Sequence, residues 1–287
     1  MLRTPVALIL FNRPELTARV FRAIRAARPR QLFLIADGPR NEAESRLTAA
    51  ARQAVADVDW DCTVHRNFAE SNRGCRRAVG QGIDWVFQHC DEAIILEDDC
   101  LPEPTFFRFC EELLERYHDD RRVSMISGDN FQPAPRSGES YYFSSISHVW
   151  GWATWRRAWR YFDIEMKSWP KDRESPWLAE LLMDDTVRVT YRRNFDAVFE
   201  GKVDTWDAQW QLAVWRSGGL VALPNVNLVS NLGFGADATH TRRADSRDAN
   251  LPTQPMRFPL VHPSDVCRDT EADLLTWRRS LATRTIA

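Results

Sequence analysis

Apolar positions fall into short unbroken runs in the first hundred residues. They are "PVALILF" (5–11), "QLFLIADG" (31–38) and "EAIILE" (92–97), and the more polar "DCTVHR" (61–66) reads as a further strand. Runs this short that end in turn or charged residues predict buried strands. Between them the apolar positions recur every three or four residues, which predicts helices over 14–27, 41–58, 73–90 and 102–120. Pro14 suits a first helical turn, Asn41 is a plausible cap, and Pro104 and Thr105 fit another helix start. This β-α-β-α order predicts a mostly parallel sheet covered by helices on both faces. The second half is less regular. "YYFSSISHVWGWATWRRAW" (141–159) reads as strand, loop and helix, with Trp152, Trp155 and Trp159 along one helical face. Helices near 176–200 and 206–217 follow, and then short strands and a Gly-rich loop over 219–241. From Arg242 onward, mixed charge and scattered prolines predict a loosely packed tail.

Ligands of such sheets bind beyond the carboxyl ends of the strands. Those ends carry Phe11-Asn12-Arg13, Asp37-Gly38-Pro39-Arg40 and Glu97-Asp98-Asp99. Three adjacent carboxylates raise one another's pKa and repel, so the cluster calls for a cation, a basic side chain, a helix N-terminus or water. A solvated turn is the simplest reading. However, the cluster follows a fully apolar strand and returns at once to Cys100-Leu101-Pro102, which favours a site. Oxygen ligands at such a rim suit Mg²⁺ or Mn²⁺ held together with a substrate diphosphate. The spacing of a calcium-binding loop is absent.

Composition narrows the classes. The 287 residues, 44% hydrophobic and 27% charged, can bury a sizeable core. A net charge of −2 provides no global basic field for nucleic acid. No run is long enough to span a bilayer, and the first apolar run lacks a signal-peptide cleavage site. Six cysteines without paired spacing read as reduced thiols in a cytoplasmic protein.

The motifs "LFNRPEL", "IADGPR", "ILEDDCLPEPTFF", "SGDNFQ", "WGWATWRRAW", "DTWDAQW" and "PNVNLVSNLGFGADATHT" together resemble GT-A (Rossmann-like) glycosyltransferases. They are nearest to the N-acetylglucosaminyltransferase I type and to bacterial chains classed as glycosyltransferases or loosely as haemolysin-like. The resemblance covers about residues 4–241. It implies one GT-A domain over 1–241, with a nucleotide-sugar half (1–120), a smaller aromatic-rich acceptor half (121–241) and a tail (242–287). It implies a UDP-linked sugar donor, Mn²⁺ or Mg²⁺, and an acceptor that is a glycan, a lipid-linked precursor or a small molecule.

Carried over by residue, Phe11, Arg13 and Asp37 match nucleotide-facing positions, and Asp99 matches the metal ligand. Glu97 and Asp98 match ribose or supporting positions. Arg73, Arg76 and Arg77 open a helix beside the same rim, where one of them can meet the diphosphate, although a solvated helix face is the plainer reading for at least two. The related enzyme carries a His near this helix start where Gly74 stands. Asp207 matches the base that deprotonates the acceptor, with Asp204 as the cap of its helix; a first-turn Asp favoured by the helix dipole is the plainer reading. His240 matches a late histidine that completes the metal shell. Core packing is the default for an aromatic stripe such as Trp152, Trp155 and Trp159. However, Trp150-Gly151-Trp152 precedes the helix in a loop facing the expected site. Trp150 or Trp152 is therefore expected to border the acceptor, as is Trp206, because indole faces suit the C–H faces of sugars.

Two other readings remain. One is a sugar-phosphate nucleotidyltransferase, which would want a Gly-rich loop where Phe11-Asn12-Arg13-Pro14 stands. The other is a non-catalytic nucleotide- or carbohydrate-binding protein on the same fold. The expected location is the cytoplasm, with contact to the inner membrane face through the tail compatible with the sequence.

Overall fold

The computed structural model describes residues 1–235 and 248–284. The strands and helices run β1 (Val6–Leu10), α1 (Pro14–Ala27), β2 (Gln31–Ala36), α2 (Glu42–Ala54), β3 (Thr63–Phe68), α3 (Cys75–His89), β4 (Glu92–Glu97), β5 (Cys100–Pro102), α4 (Thr105–Arg116), β6 (Val123–Ser127), β7 (Tyr141–Ser144) and β8 (Trp152–Trp155). There follow α5 (Arg156–Trp159), α6 (Trp169–Asp172), α7 (Pro176–Leu181), α8 (Asp185–Phe199), α9 (Asp207–Arg216), β9 (Leu220–Pro224), β10 (Val229–Asn231) and α10 (Thr270–Arg284).

Eight strands form one sheet in the order β3-β2-β1-β4-β8-β6-β9-β7. The pairs β1–β2, β2–β3, β1–β4 and β6–β9 are parallel, while β8 runs antiparallel to β4 and β6, and β7 antiparallel to β9. The fold is therefore mixed α/β with a mostly parallel sheet, as the element order predicts. Strand order reverses between β1 and β4, and such a reversal opens a crevice at the carboxyl ends of its strands. Phe11-Asn12-Arg13 and Glu97-Asp98-Asp99 lie at that reversal point.

Alternation along the strands fills two cores. Leu8, Leu34, Leu96 and Ile126 pack with Phe21 of α1 and Phe109 of α4. Ile9, Ile35, Ile95 and Met125 pack on the opposite face with Ile83 of α3 and Trp210 of α9. Helix starts follow local chemistry. Pro14 sits in the first turn of α1, and the Asn41 side chain accepts the Glu44 N–H to cap α2.

Two sequence expectations need correction. Residues 152–155 form a central strand, so Trp152, Trp155 and Trp159 do not share a helical face; only 156–159 are helical. Burial between β4 and β6 overrides the apparent helical spacing, because bulky aromatic residues also suit strands. The described C-terminal residues are also anchored to the core at a few points rather than loose throughout. Met256 and Leu260 join one core, and Trp277 of α10 joins a third cluster with Phe195 and Trp215. Asp273, fully buried, accepts hydrogen bonds from the Ser144 and Ser145 hydroxyls and from Arg268. These are long-range contacts, invisible to local composition.

Candidate functional site

The period of two along a strand sorts the rim side chains. Ile35 and Ile95 face α3 and α9, so Asp37 and Glu97, two residues further on, start on that face. Asp98 is one step out of phase and turns to the α1 side, where it accepts the Phe11 N–H at 2.9 Å. A tight turn then leads into β5, which pairs antiparallel with β10. The adjacent carboxylates therefore point three ways.

Each has its own compensation. Burial pushes the Glu97 carboxyl up to about 8, helped by the charges of Asp99, Asp98 and Asp207 and opposed by a hydrogen bond from Trp206. Burial and the Asp99 charge likewise push Asp98 up to about 7, against the Phe11 N–H and Arg13. Asp99 instead receives the Arg13 guanidinium, with Nη1 at 2.6 Å from Oδ2, and both side chains are largely buried. Burial thus opposes ionisation of Glu97 and Asp98, and an arginine sits against the third carboxylate.

Asp37 has no oxygen to spare. It accepts the Gly38 and Arg73 N–H groups at 2.8 and 2.9 Å, the Asn72 amide at 2.8 Å and the Gly74 N–H at 3.2 Å. It thus holds the corner between β2 and α3, and Gly38 is required there because a Cβ would lie 2.4 Å from the Ser71 backbone. Arg73 and Arg77 are exposed, and Arg77 reaches Glu165 at 3.9 Å. The Phe11 ring lies under the Arg40 guanidinium, 5.6 Å from it.

From the other half of the chain, α9 delivers Asp207, exposed in its first turn, where it accepts the Thr205 hydroxyl and the Ala208 N–H. Its charge acts on Glu97, and both carboxylates raise the pKa of the Cys75 thiol, whose main perturbation is burial. Contrary to the expectation from the sequence, Asp204 does not cap α9. Its carboxylate accepts the Cys75 and Arg76 N–H groups at 2.9 and 3.1 Å and so caps α3. The helix it serves is distant in sequence, so local pattern could not identify it.

The aromatic positions divide. Trp150 is half-buried, edge-on to Phe131 and Phe234, and its N–H donates to Asp129. Gly151 has φ 83°, and a Cβ there would lie 2.7 Å from Val229, so glycine is needed on both counts. Trp152 is fully buried and Trp206 is 3% exposed, stacked on it at 5.6 Å. Neither presents a face to an acceptor, which corrects the expectation for both. Trp206 instead supports Glu97.

Sequence reasoning passed over Asp129. It continues the Met125–Ser127 parity beyond β6 on the rim and is 1% exposed. One oxygen accepts the Trp150 N–H at 3.1 Å, and the other has no partner. Burial raises its pKa well above the usual range. Its place at a strand end with the right parity was the available signal. Gly233 was also overlooked: a Cβ there would lie 1.9 Å from Asp99 Oδ2 and 2.8 Å from Arg13 Nη1. Only the burial of this loop against the acidic turn reveals the need for glycine. His240 lies outside the described residues.

Among the described residues no group of three or more His, Cys, Asp or Glu side chains is placed to hold a metal. The donor chemistry at Asp99 nevertheless fits Mg²⁺ or Mn²⁺, which need only one or two protein carboxylates when a diphosphate supplies further oxygens. A groove of about 620 Å³ along α8 lies apart from these carboxylates. Its charges are largely self-paired, Arg173 with Asp196 and Lys202 with Glu200. No described helix is long and apolar enough to cross a membrane.

No protein-family model matches the sequence, and no curated protein does. Among solved structures, S. aureus TarS 1–349 is similar with a TM-score of 0.42 and 6% identity, over 78% of this chain and 58% of that one. At that level of likeness no function passes from one protein to the other.

Proposed function

We propose that the chain is an inverting glycosyltransferase. It moves a sugar from a nucleoside diphosphate, UDP in the first instance, to a hydroxyl of a glycan, lipid-linked or small-molecule acceptor. The observation that carries this reading is the arrival of the start of α9 at the acidic turn, with Trp206 hydrogen-bonded to Glu97 and the Asp207 charge acting on it, at the reversal point of a mostly parallel sheet. A nucleotide laid across that crevice places its diphosphate beside Asp99 and Arg13 and its sugar toward α9.

Transfer forms a bond from the acceptor oxygen to the anomeric carbon as the bond to the diphosphate oxygen breaks. Asp207, exposed and held by Thr205, takes the proton of the attacking hydroxyl. Arg13 is close enough to the acidic turn to stabilise negative charge that develops on the leaving group. Trp150, in the loop that Asp129 holds, borders the acceptor side. Asp99 would hold Mn²⁺ or Mg²⁺, with His240 as the further ligand that the resemblance implies, and the ion would supply Lewis-acid stabilisation of the departing diphosphate. A cytoplasmic enzyme acting on a lipid-linked precursor fits this chemistry.

A second reading is a nucleotide- or carbohydrate-binding protein without turnover. A donor panel decides between them. The protein with Mn²⁺ is incubated with UDP-, GDP- and dTDP-sugars and mixed glycoside acceptors, and released nucleoside diphosphate is measured. Release from at least one donor is expected. No release from any donor, alongside UDP binding by calorimetry, would establish the binding protein instead.

A further inference from the structure

Asp99, the one acidic-turn side chain directed to a cation, already holds one. Its partner Arg13 lies just after β1, where its carbonyl accepts the Thr17 N–H at 2.9 Å and the Thr17 hydroxyl at 2.8 Å. The backbone that carries this guanidinium is therefore fixed by the first turn of α1. The chain also closes over the pair from a third direction. Asn231 pairs with Cys100, the Leu232 N–H donates to the Asp99 carbonyl at 2.8 Å, and Gly233 packs against Asp99 Oδ2 without room for a Cβ. The guanidinium thus stands at 2.6 Å from Oδ2, while the weak Cys100 Sγ–H donor lies 3.3 Å from Oδ1, so a cation approaching this carboxylate meets a like charge already in place.

We infer that Arg13 is an exchange residue. In the ligand-free protein it occupies the cation position on Asp99, and it leaves that oxygen when a divalent cation arrives with a nucleoside diphosphate. The inference rests on the proposed function and deepens it by describing how the donor is taken up. Breaking a largely buried pair is costly because it leaves a carboxylate without its counter-charge. A bare divalent cation must bear that cost alone. With a nucleotide, the diphosphate receives the displaced guanidinium in a bidentate contact, and the cost is offset. The chain therefore takes up metal and nucleotide together, and Asp99 is not exposed as a stray metal site between turnovers.

Binding of Mn²⁺ to the whole protein, followed by loss of the free-ion paramagnetic resonance signal, tests this without catalysis. Wild type is expected to bind Mn²⁺ weakly alone and at least about tenfold more tightly with UDP present. Arg13→Ala and Arg13→Gln are expected to bind Mn²⁺ alone about tenfold more tightly than wild type, with most of the UDP dependence lost. Arg40→Ala removes an equal charge from the same rim and controls for a field effect. It is expected to shift Mn²⁺ affinity by less than about threefold. Thermal melts establish that each variant is folded, and the glutamine variant provides the comparison if the alanine variant is not. Unchanged Mn²⁺ affinity in the folded Arg13 variants would overturn the exchange, as would an equal gain in Arg40→Ala. If wild type binds no Mn²⁺ even with UDP, the metal-dependent reading falls and the exchange with it. If wild type binds Mn²⁺ with UDP but the Arg13 variants gain nothing, the exchange alone falls.

Discussion

Single residues carry the chemistry proposed here, and two of them make opposite demands on water. Asp207 is exposed and able to accept a proton, whereas Asp129 is sealed among its neighbours with one oxygen unmatched. Replacing Asp207 by Asn keeps shape and removes basicity. Transfer is expected to fall by about 10²–10⁴-fold, with UDP affinity measured by calorimetry unchanged. Full activity in that variant would move the base elsewhere. Asp129 is suited to a stability measurement. Its pKa is raised by burial, opposed by the Trp150 N–H and Ser127 hydroxyl, and raised further by Asp248. A raised carboxyl contributes stability that is fully present below the unfolded pKa, near about 4. That contribution is lost as pH rises toward the folded value. Asp129→Asn cannot ionise and retains an acceptor for Trp150. Its melting temperature relative to wild type is therefore expected to rise between pH 4 and pH 8, and a flat difference would show that Asp129 is not held neutral.

At the scale of elements, the site depends on ties between segments far apart in sequence. Asp204, just ahead of α9, caps α3, so one carboxylate both completes a helix start and registers Asp207 against Cys75 and Glu97. Loss of a cap costs about 1 kcal/mol and up to about 2. Asp204→Ala should lose that much in urea unfolding and also lower transfer, because α9 is no longer tied to α3. A stability change with unaltered transfer would separate the cap from the site. Similarly, β10 exists as a strand only because β5 accepts it, and that pairing brings Gly233 onto Asp99.

Across the whole molecule, the C-terminal helix is part of the core. Asp273 joins β7 to α10 through Ser144, Ser145 and Arg268, all away from the carboxylate rim. Removing one partner of a buried ion pair costs about 3–5 kcal/mol. Asp273→Ala should therefore lower the melting temperature substantially while UDP affinity of the remaining folded protein stays unchanged. Stability within about 0.5 kcal/mol of wild type, the range of ordinary surface changes, would mean that α10 is not required for the fold.

By itself the sequence determined the alternating α/β order, the parallel sheet and the presence of Arg13, Asp37 and Glu97–Asp99 at strand ends. Unbroken apolar runs and their polar terminations are local signals, and sheet geometry then puts those ends on one rim. It also determined the Asn41 cap, which spans a single turn. Only the tertiary structure decided which acidic side chain faces which partner. It showed that Arg13 holds Asp99, that Asp204 caps a remote helix, that Trp152 is a buried strand residue, and that Asp129 and Gly233 belong to the rim. Those outcomes depend on contacts between residues distant in the chain and on burial, neither of which a local pattern of polar and apolar positions encodes.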